Sequence, residues 1–155
     1  MIPPPLQFAF RIRINFPTGP RLRFPVRGGD TRGYINVVSG IVEGPKLQGT
    51  LVPGGGGDCS LFRADGVVVF DARYLIQATD GTLIQVFNRG FAYAAPEVTK
   101  RIERGAPVDA ADNYFRLSPV FETADGPHAW LTRTVFVGYG EKFSDYSTFD
   151  YFAVT

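Results

Sequence analysis

Cysteine is almost missing from this 155-residue chain. Cys59 stands alone, which excludes an intramolecular disulfide and any cysteine-built zinc site. Histidine is equally scarce. With only His128, a multi-histidine metal centre or facial triad is excluded, and any Ser-His-Asp or Cys-His arrangement would need that one ring as its base. No G-x-S-x-G elbow lies near it. No charge dominates: 16 Lys and Arg against 15 Asp and Glu leave a net charge of +1, which argues against electrostatic capture of nucleic acid or an anionic membrane. Long apolar runs are also missing. Nothing approaches the roughly 18 residues of a membrane span, and MIPPPLQFAF lacks the basic and apolar regions of a signal peptide. These absences lead to the expectation of a soluble cytoplasmic protein with no nucleic-acid or membrane partner, no metal and no cofactor.

What is present points to β-structure. Fourteen Phe and 7 Tyr supply much of the interior, while 18 Gly and 12 Pro punctuate short apolar runs. The length suits one domain over residues 1–155 that buries roughly two-thirds of its unfolded surface. The clearest element is VVVFDARYLIQATDGTLIQVFNRGFAYA, Val67 to Ala94, where two β-branched and aromatic runs flank Asp80-Gly81. An Asp-Gly pair between such runs signals a two-residue type I′ hairpin. Thr79 then faces Thr82, Tyr74 lies opposite Phe87, Ala72 opposite Arg89 and Phe70 opposite Phe91. That register gives one aromatic face holding Tyr74, Phe87 and Arg89. The other face carries Asp71, Arg73 and Asn88.

Along the rest of the chain, Leu6 to Phe16 alternates, with Leu6, Phe8, Phe10, Ile12, Ile14 and Phe16 on one side. Arg11, Arg13, Arg21 and Arg23 are expected on a solvated face of this strand and the next. Tyr34 to Ile41, Lys46 to Val52 and Cys59 to Arg63 read as short strands. The run Pro53-Gly54-Gly55-Gly56-Gly57-Asp58 is followed by neither a helix nor a Lys-Ser/Thr pair, so it is not a phosphate loop. It suits a bulge where backbone comes close to something. Ala95 to Gly105 reads as a short helix with Pro96 in its first turn and Gly105 just past its end. Asn113–Glu122, His128–Gly138 and Ser147–Val154 complete about ten strands. The expected fold is an all-β single barrel, up-and-down or Greek-key, of mostly antiparallel strands with one short helix.

Candidate site residues follow from which side chains could enter such a barrel. Tyr74, Phe87 and Arg89 come from the hairpin, Tyr114 and Arg116 from YFRLSPVF, and His128, Trp130 and Thr132 from HAWLTRTVF. Arginine in an aromatic cavity needs a carboxylate or an anionic or enolate-like ligand. Surface-facing arginines in carboxylate pairs are the competing explanation. Asp58, directly after the glycine run, is a candidate general base at a cavity mouth.

GIVEGPKLQGTLVPGGGGD, DGVVVFDARYLIQATDGTLIQVFNRG, YFRLSPVFET and AWLTRTVFVGYGE together resemble, in order and spacing, a family of small β-barrel proteins named domain of unknown function 3237. The likeness runs over roughly Gly40 to Val154. It implies a barrel, lipocalin-like or allene-oxide-cyclase-like in shape, more than an activity. The chain departs from that pattern at Thr132, where an Asn is usual, and at His128, where an aromatic residue is usual.

The expected function is a cofactor-independent cyclase, isomerase or lyase, a cycloaddition included, acting on a small aromatic or polyketide-like molecule held in the barrel. In this view Arg89 or Arg116 stabilises an oxyanion and Tyr74 or Tyr114 donates a hydrogen bond. Phe87 and Trp130 stack on the ligand, Thr132 lines the pocket, and Asp58 or His128 moves a proton. The alternatives are a binding protein for small hydrophobic molecules that uses the same pocket without turnover, and a homodimer whose barrel is filled with side chains.

Overall fold

The computed structural model of the protein describes residues 2–143 and 145–155. Its strands are β1 (Leu6–Asn15), β2 (Leu22–Pro25), β3 (Thr31–Asn36), β4 (Ser39–Glu43), β5 (Gly49–Leu51), β6 (Gly57–Phe62), β7 (Val68–Ala78), β8 (Leu83–Ala94), β9 (Asn113–Thr123), β10 (Phe136–Lys142) and β11 (Tyr146–Val154). One α-helix, α1 (Pro96–Glu103), sits between β8 and β9. Eight strands close in the order β7-β5-β4-β1-β11-β10-β9-β8, with β8 returning to β7. The remaining three, β6-β3-β2, extend from β7 as a wing. The result is the all-β barrel expected, with eleven strands among the described residues rather than about ten. Eight strands enclose an interior that side chains can fill or that can hold one small ligand. Here one end is filled and the other is not.

The wing arises because β7 is long and two strands share one of its edges. Its C-terminal part pairs with β5, Leu51 opposite Ile76, and its N-terminal part pairs with β6, Gly57 opposite Arg73. The glycine run crosses between them. Val52 N–H donates to Leu75 C=O, and Gly56 C=O accepts from Val37 N–H. Gly56 has φ +147°, and a Cβ there would lie 1.9 Å from the Arg73 carbonyl oxygen. Only glycine fits this crossing. The close backbone approach expected of the run is therefore to β7 itself.

Local registers decide which side chains enter. In β1 the pairing with β11 slips between Phe8 and Phe10, so Ala9 and Phe10 are both buried while Leu6 and Phe8 lie outside. The uninterrupted alternation read from the sequence is broken by this bulge. In the β7–β8 hairpin Gln77 faces Leu83, Ala78 N–H donates to Thr82 C=O, and Gly81 has φ +89°. The loop thus has three residues, Thr79-Asp80-Gly81, with Gly81 in the left-handed position of a bulged hairpin. Tyr74 lies opposite Val86, Ala72 opposite Asn88, and Asp71 opposite Arg89. A slip of one residue exchanges the faces of a strand. Phe87 and Arg89 consequently leave the interior and Asn88 enters it.

His128–Gly138 is not a continuous strand. Ala129–Arg133 forms a 3₁₀ helix, and pairing begins only at Phe136. The filled end of the barrel is an aromatic cluster in which Phe121 meets Phe136 at 5.1 Å, Phe10 at 5.9 Å and Tyr151 at 6.4 Å between ring centroids. Leu131 of the 3₁₀ helix is buried with it. α1 starts at Pro96 and is followed by Gly105 at φ +70°, as its termini predict. No helix among the described residues is long and apolar enough to cross a membrane.

Candidate functional site

The unfilled end of the barrel holds a cavity of about 360 Å³ bounded by barrel strands, the wing and α1. A volume of that size lies within the range of small-molecule sites. Its deep wall is Tyr74 and Asn88 together with Phe115 and Phe149, the wing contributes Arg21, Arg23, Asp58 and Ser60, and α1 contributes Ile102. Gly140 leaves space for the Phe115 ring. A Cβ at Gly140 would press on the Phe115 ring at 2.8 Å.

Polar groups concentrate in two places. Near the wing, Asp58 accepts from Ser60 Oγ through one carboxylate oxygen and from Asp71 N–H at 3.2 Å through the other. Burial pushes the Asp58 pKa above the usual carboxylate value, while those two bonds hold it down. Arg21, Arg23 and Lys142 line the same cavity, as do Arg63 and the carboxylate of Glu103. Arg21 sits over Phe16 and Arg23 over Phe62, at 5.4 and 4.2 Å from the ring centroids. Lys142 keeps solvent contact at the rim, yet crowding by protein atoms, then Arg21 and Arg23, bring its pKa down to about 8. At the deep end, Asn88 Nδ2 donates to Tyr151 Oη at 2.8 Å, and the two phenol oxygens of Tyr74 and Tyr151 are 3.5 Å apart. Burial raises the pKa of both phenols, so they stay protonated at neutral pH.

The Asp58 shift has a consequence for stability. A carboxyl whose pKa is higher folded than unfolded binds its proton more tightly in the native state. Its ionisation then costs stability as pH rises from the unfolded value of 3.8 through the folded one. Asp58→Asn keeps an acceptor for Asp71 N–H and removes that cost. Thermal melts should show the variant more stable than wild type at about pH 7, with the gap closing toward about pH 3.5. A variant that is the less stable of the two at neutral pH contradicts this account.

The candidates named from sequence divide sharply. Asp58 and Tyr74 line the cavity. Arg89 lies on the outer face, where its Nε is 3.5 Å from Asp71 Oδ1, with Arg73 Nε 3.6 Å from the same oxygen. Phe87 is beside them, 5.7 Å from the Arg73 guanidinium. Arg116 and Tyr114 are exposed too, with the Arg116 guanidinium 5.2 Å from the Tyr114 ring and 4.5 Å from that of Tyr139. The reading of a surface arginine in a carboxylate pair fits Arg89 beside Asp71, whereas Arg116 lies at the surface against aromatic rings. The inward alternation of β9 belongs to Phe115, Leu117 and Phe121. His128 lies 3.0 Å from Asp80 Oδ2 at the hairpin loop. Trp130 packs on Phe136, and Thr132 Oγ1 donates to the Ala129 carbonyl within the 3₁₀ helix. None of these three lines the cavity.

Conversely, Arg21 and Arg23, expected on a solvated face, enter the site. So do Asn88, Ser60 and Lys142, which sequence reasoning did not select. Asn88 was recoverable from the apolar pattern, because only the observed register sets Ile84 and Val86 opposite Ile76 and Tyr74. Lys142 carries no comparable signal. Among the described residues no three His, Cys, Asp or Glu come together as metal ligands.

Comparison with known proteins agrees with the barrel fold. A UPF0311 protein of Rhodopseudomonas palustris is 31% identical over 118 residues, 76% of each chain. A conserved protein of unknown function from the same organism has a solved structure that covers all of both chains with a TM-score of 0.89 and 28% identity. A protein of Acinetobacter baumannii described as β-barrel like covers 100% of this chain and 98% of its own, with a TM-score of 0.84 and 25% identity. A hydroalkoxylation enzyme of Penicillium herquei is 36% identical over 84 residues, 54% of each chain. The model for proteins of unknown function DUF3237 matches residues 4–154, and the chain belongs to that family.

Proposed function

We propose that the cavity binds a small aromatic molecule with an acidic oxygen and cyclises or isomerises it by proton transfer, without a cofactor. The observation that carries this reading is Asp58. It is a carboxylate of raised pKa, fixed by Ser60 Oγ and Asp71 N–H, in an aromatic cavity whose rim is cationic. The hydroalkoxylation activity named for the Penicillium relative supports the same class of reaction.

The chemistry balances within the substrate. Asp58 takes the proton of a phenol, and Arg21 and Arg23 stabilise the phenolate. The oxygen adds to a conjugated carbon of the same molecule, forming a C–O bond as the carbon–carbon π bond breaks. The enolate so formed takes a proton at carbon from Asp58 or Lys142. The product is an isomer of the substrate, so nothing is oxidised or reduced. The aromatic walls hold the reacting atoms together and limit water.

The test uses 2′-hydroxychalcone and 2′,4′-dihydroxychalcone, both of which can close a ring by this route. Wild type should convert at least one of them faster than buffer and yield one enantiomer in excess. Asp58→Asn should slow that step about a hundredfold while ligand affinity changes little. Binding of both compounds with no acceleration replaces this reading by that of a non-catalytic binding protein.

A further inference from the structure

Apart from the polar groups at the rim, the cavity is lined largely by apolar side chains, with one polar cluster at its closed end. Asn88 is 2% exposed, lines the cavity, and spends an Nδ2 hydrogen on Tyr151 Oη. Its carbonyl oxygen Oδ1 is buried and has no hydrogen-bond partner among the described residues. Buried acceptors of this kind are uncommon and are satisfied by water or ligand where protein does not reach them. Tyr74, 1% exposed, lines the same wall. Its phenol meets the Tyr151 oxygen at 3.5 Å, the long limit of a hydrogen bond, and has the Asn88 amide as its other polar neighbour.

Counting hydrogens defines what fits. Tyr74 and Tyr151 have two phenolic hydrogens between them, and their mutual contact uses at most one. The Asn88 amide has one oxygen with nothing donated to it. The pocket end therefore offers an unused acceptor and an unused phenolic donor side by side. A ligand carbonyl or ether can only accept, leaving Asn88 Oδ1 bare. An ammonium can only donate, leaving the phenol bare. A hydroxyl does both with one atom. Both phenols stay neutral here, so the donor persists at neutral pH.

We propose that Asn88 and Tyr74 form a hydroxyl-recognition site at the closed end of the cavity. Asn88 Oδ1 accepts from, and Tyr74 Oη donates to, one hydroxyl of an aromatic ligand. This deepens the preceding reading and rests on the cavity being a ligand site, though not on turnover. It sets orientation: a ligand anchored by a hydroxyl at Asn88 presents its opposite edge to Asp58, Arg21 and Arg23. The substrate class narrows accordingly to aromatics with oxygen functions at two separated positions.

Calorimetric titration with 2-naphthol and 2-methoxynaphthalene tests the site, since the pair differs only in the hydroxyl hydrogen and a methyl. Wild type should prefer 2-naphthol by about tenfold, as expected where a site built to bond a hydroxyl meets an analogue lacking it. The preference should fall below about threefold in Tyr74→Phe, which keeps the ring, and in Asn88→Ala. It should survive in Asp58→Asn. Should Asn88→Ala fail to fold, Tyr74→Phe alone decides. A preference unchanged in Tyr74→Phe overturns the proposal, as does a crystal structure with the naphthol oxygen elsewhere and a water bridging Asn88 and Tyr74. Binding of neither naphthalene overturns the ligand-site reading as well, which separates the two failures.

Discussion

Phe121→Ala is expected to lower the free energy of unfolding by about 3–5 kcal/mol. The residue is 2% exposed and stands in the middle of the filled end of the barrel. Its ring meets those of Phe10, Phe136 and Tyr151, which come from three other strands, so one side chain joins β1, β9, β10 and β11. Removing it forfeits the transfer energy of the ring and leaves a void that these strands, tied into a closed sheet, cannot collapse to fill. Val120→Ala is the control. Val120 is adjacent in sequence but 61% exposed on the outer face, and it should change stability by no more than about 0.5 kcal/mol. Urea unfolding measures both. A Phe121→Ala cost near that of the control would mean that this end of the barrel is not the packed cluster described.

Gly56→Ala is expected to cost about 4 kcal/mol, for two reasons that add. The backbone there has φ +147°, a conformation essentially reserved for glycine, worth about 1–3 kcal/mol of strain in any other residue. The new methyl would also meet the Arg73 carbonyl oxygen at 1.9 Å, so β6 or β7 must move, at a further cost of about 1–3 kcal/mol. Gly54→Ala separates the two contributions. Gly54 has φ +70° with nothing within 4 Å of an added Cβ, so it incurs only strain, about 1–2 kcal/mol. Equal destabilisation by the two variants would show that close approach at Gly56 is unimportant. Because Asp58 follows two residues later, Gly56→Ala should also weaken ligand binding where the protein still folds.

The architecture was legible because it rests on composition and period. Alternating aromatic runs, frequent turn residues and an isolated helix with Pro96 and Gly105 at its ends specify a small barrel whatever the details of register. The site was less legible, because it depends on single-residue shifts. Asp80-Gly81 suits both a two-residue loop and the three-residue bulged loop that the protein adopts. The difference is one residue, and it exchanges Arg89 and Phe87 for Asn88. Arg21 and Arg23 alternate with Leu22 and Phe24 as an exposed strand would. Yet β2 lies in the wing, where the arginines turn to the cavity and the two apolar side chains turn to solvent. Sequence alternation separates two faces but does not say which is inside. For β2 that depends on the sharing of the β7 edge, a tertiary fact. Trp130 and Thr132 misled through a different cause: a β-like run, AWLTRTV, is held as 3₁₀ helix by the burial of Leu131.

The pairing of β1 with β11, Leu6 opposite Val154 through Asn15 opposite Tyr146, has a consequence for biogenesis. β7, β8 and β9 are neighbours both in the chain and in the sheet, so they can pair while synthesis continues. β1 must wait, through some 130 residues, for its partner to leave the ribosome, and closures across such spans are slow. Ile14 on β1 and Ser147 and Phe149 on β11 line the ligand cavity. That wall is therefore assembled last. A nascent chain paused before β11 presents an open aromatic trough to its surroundings, and the cavity closes only with the final seam.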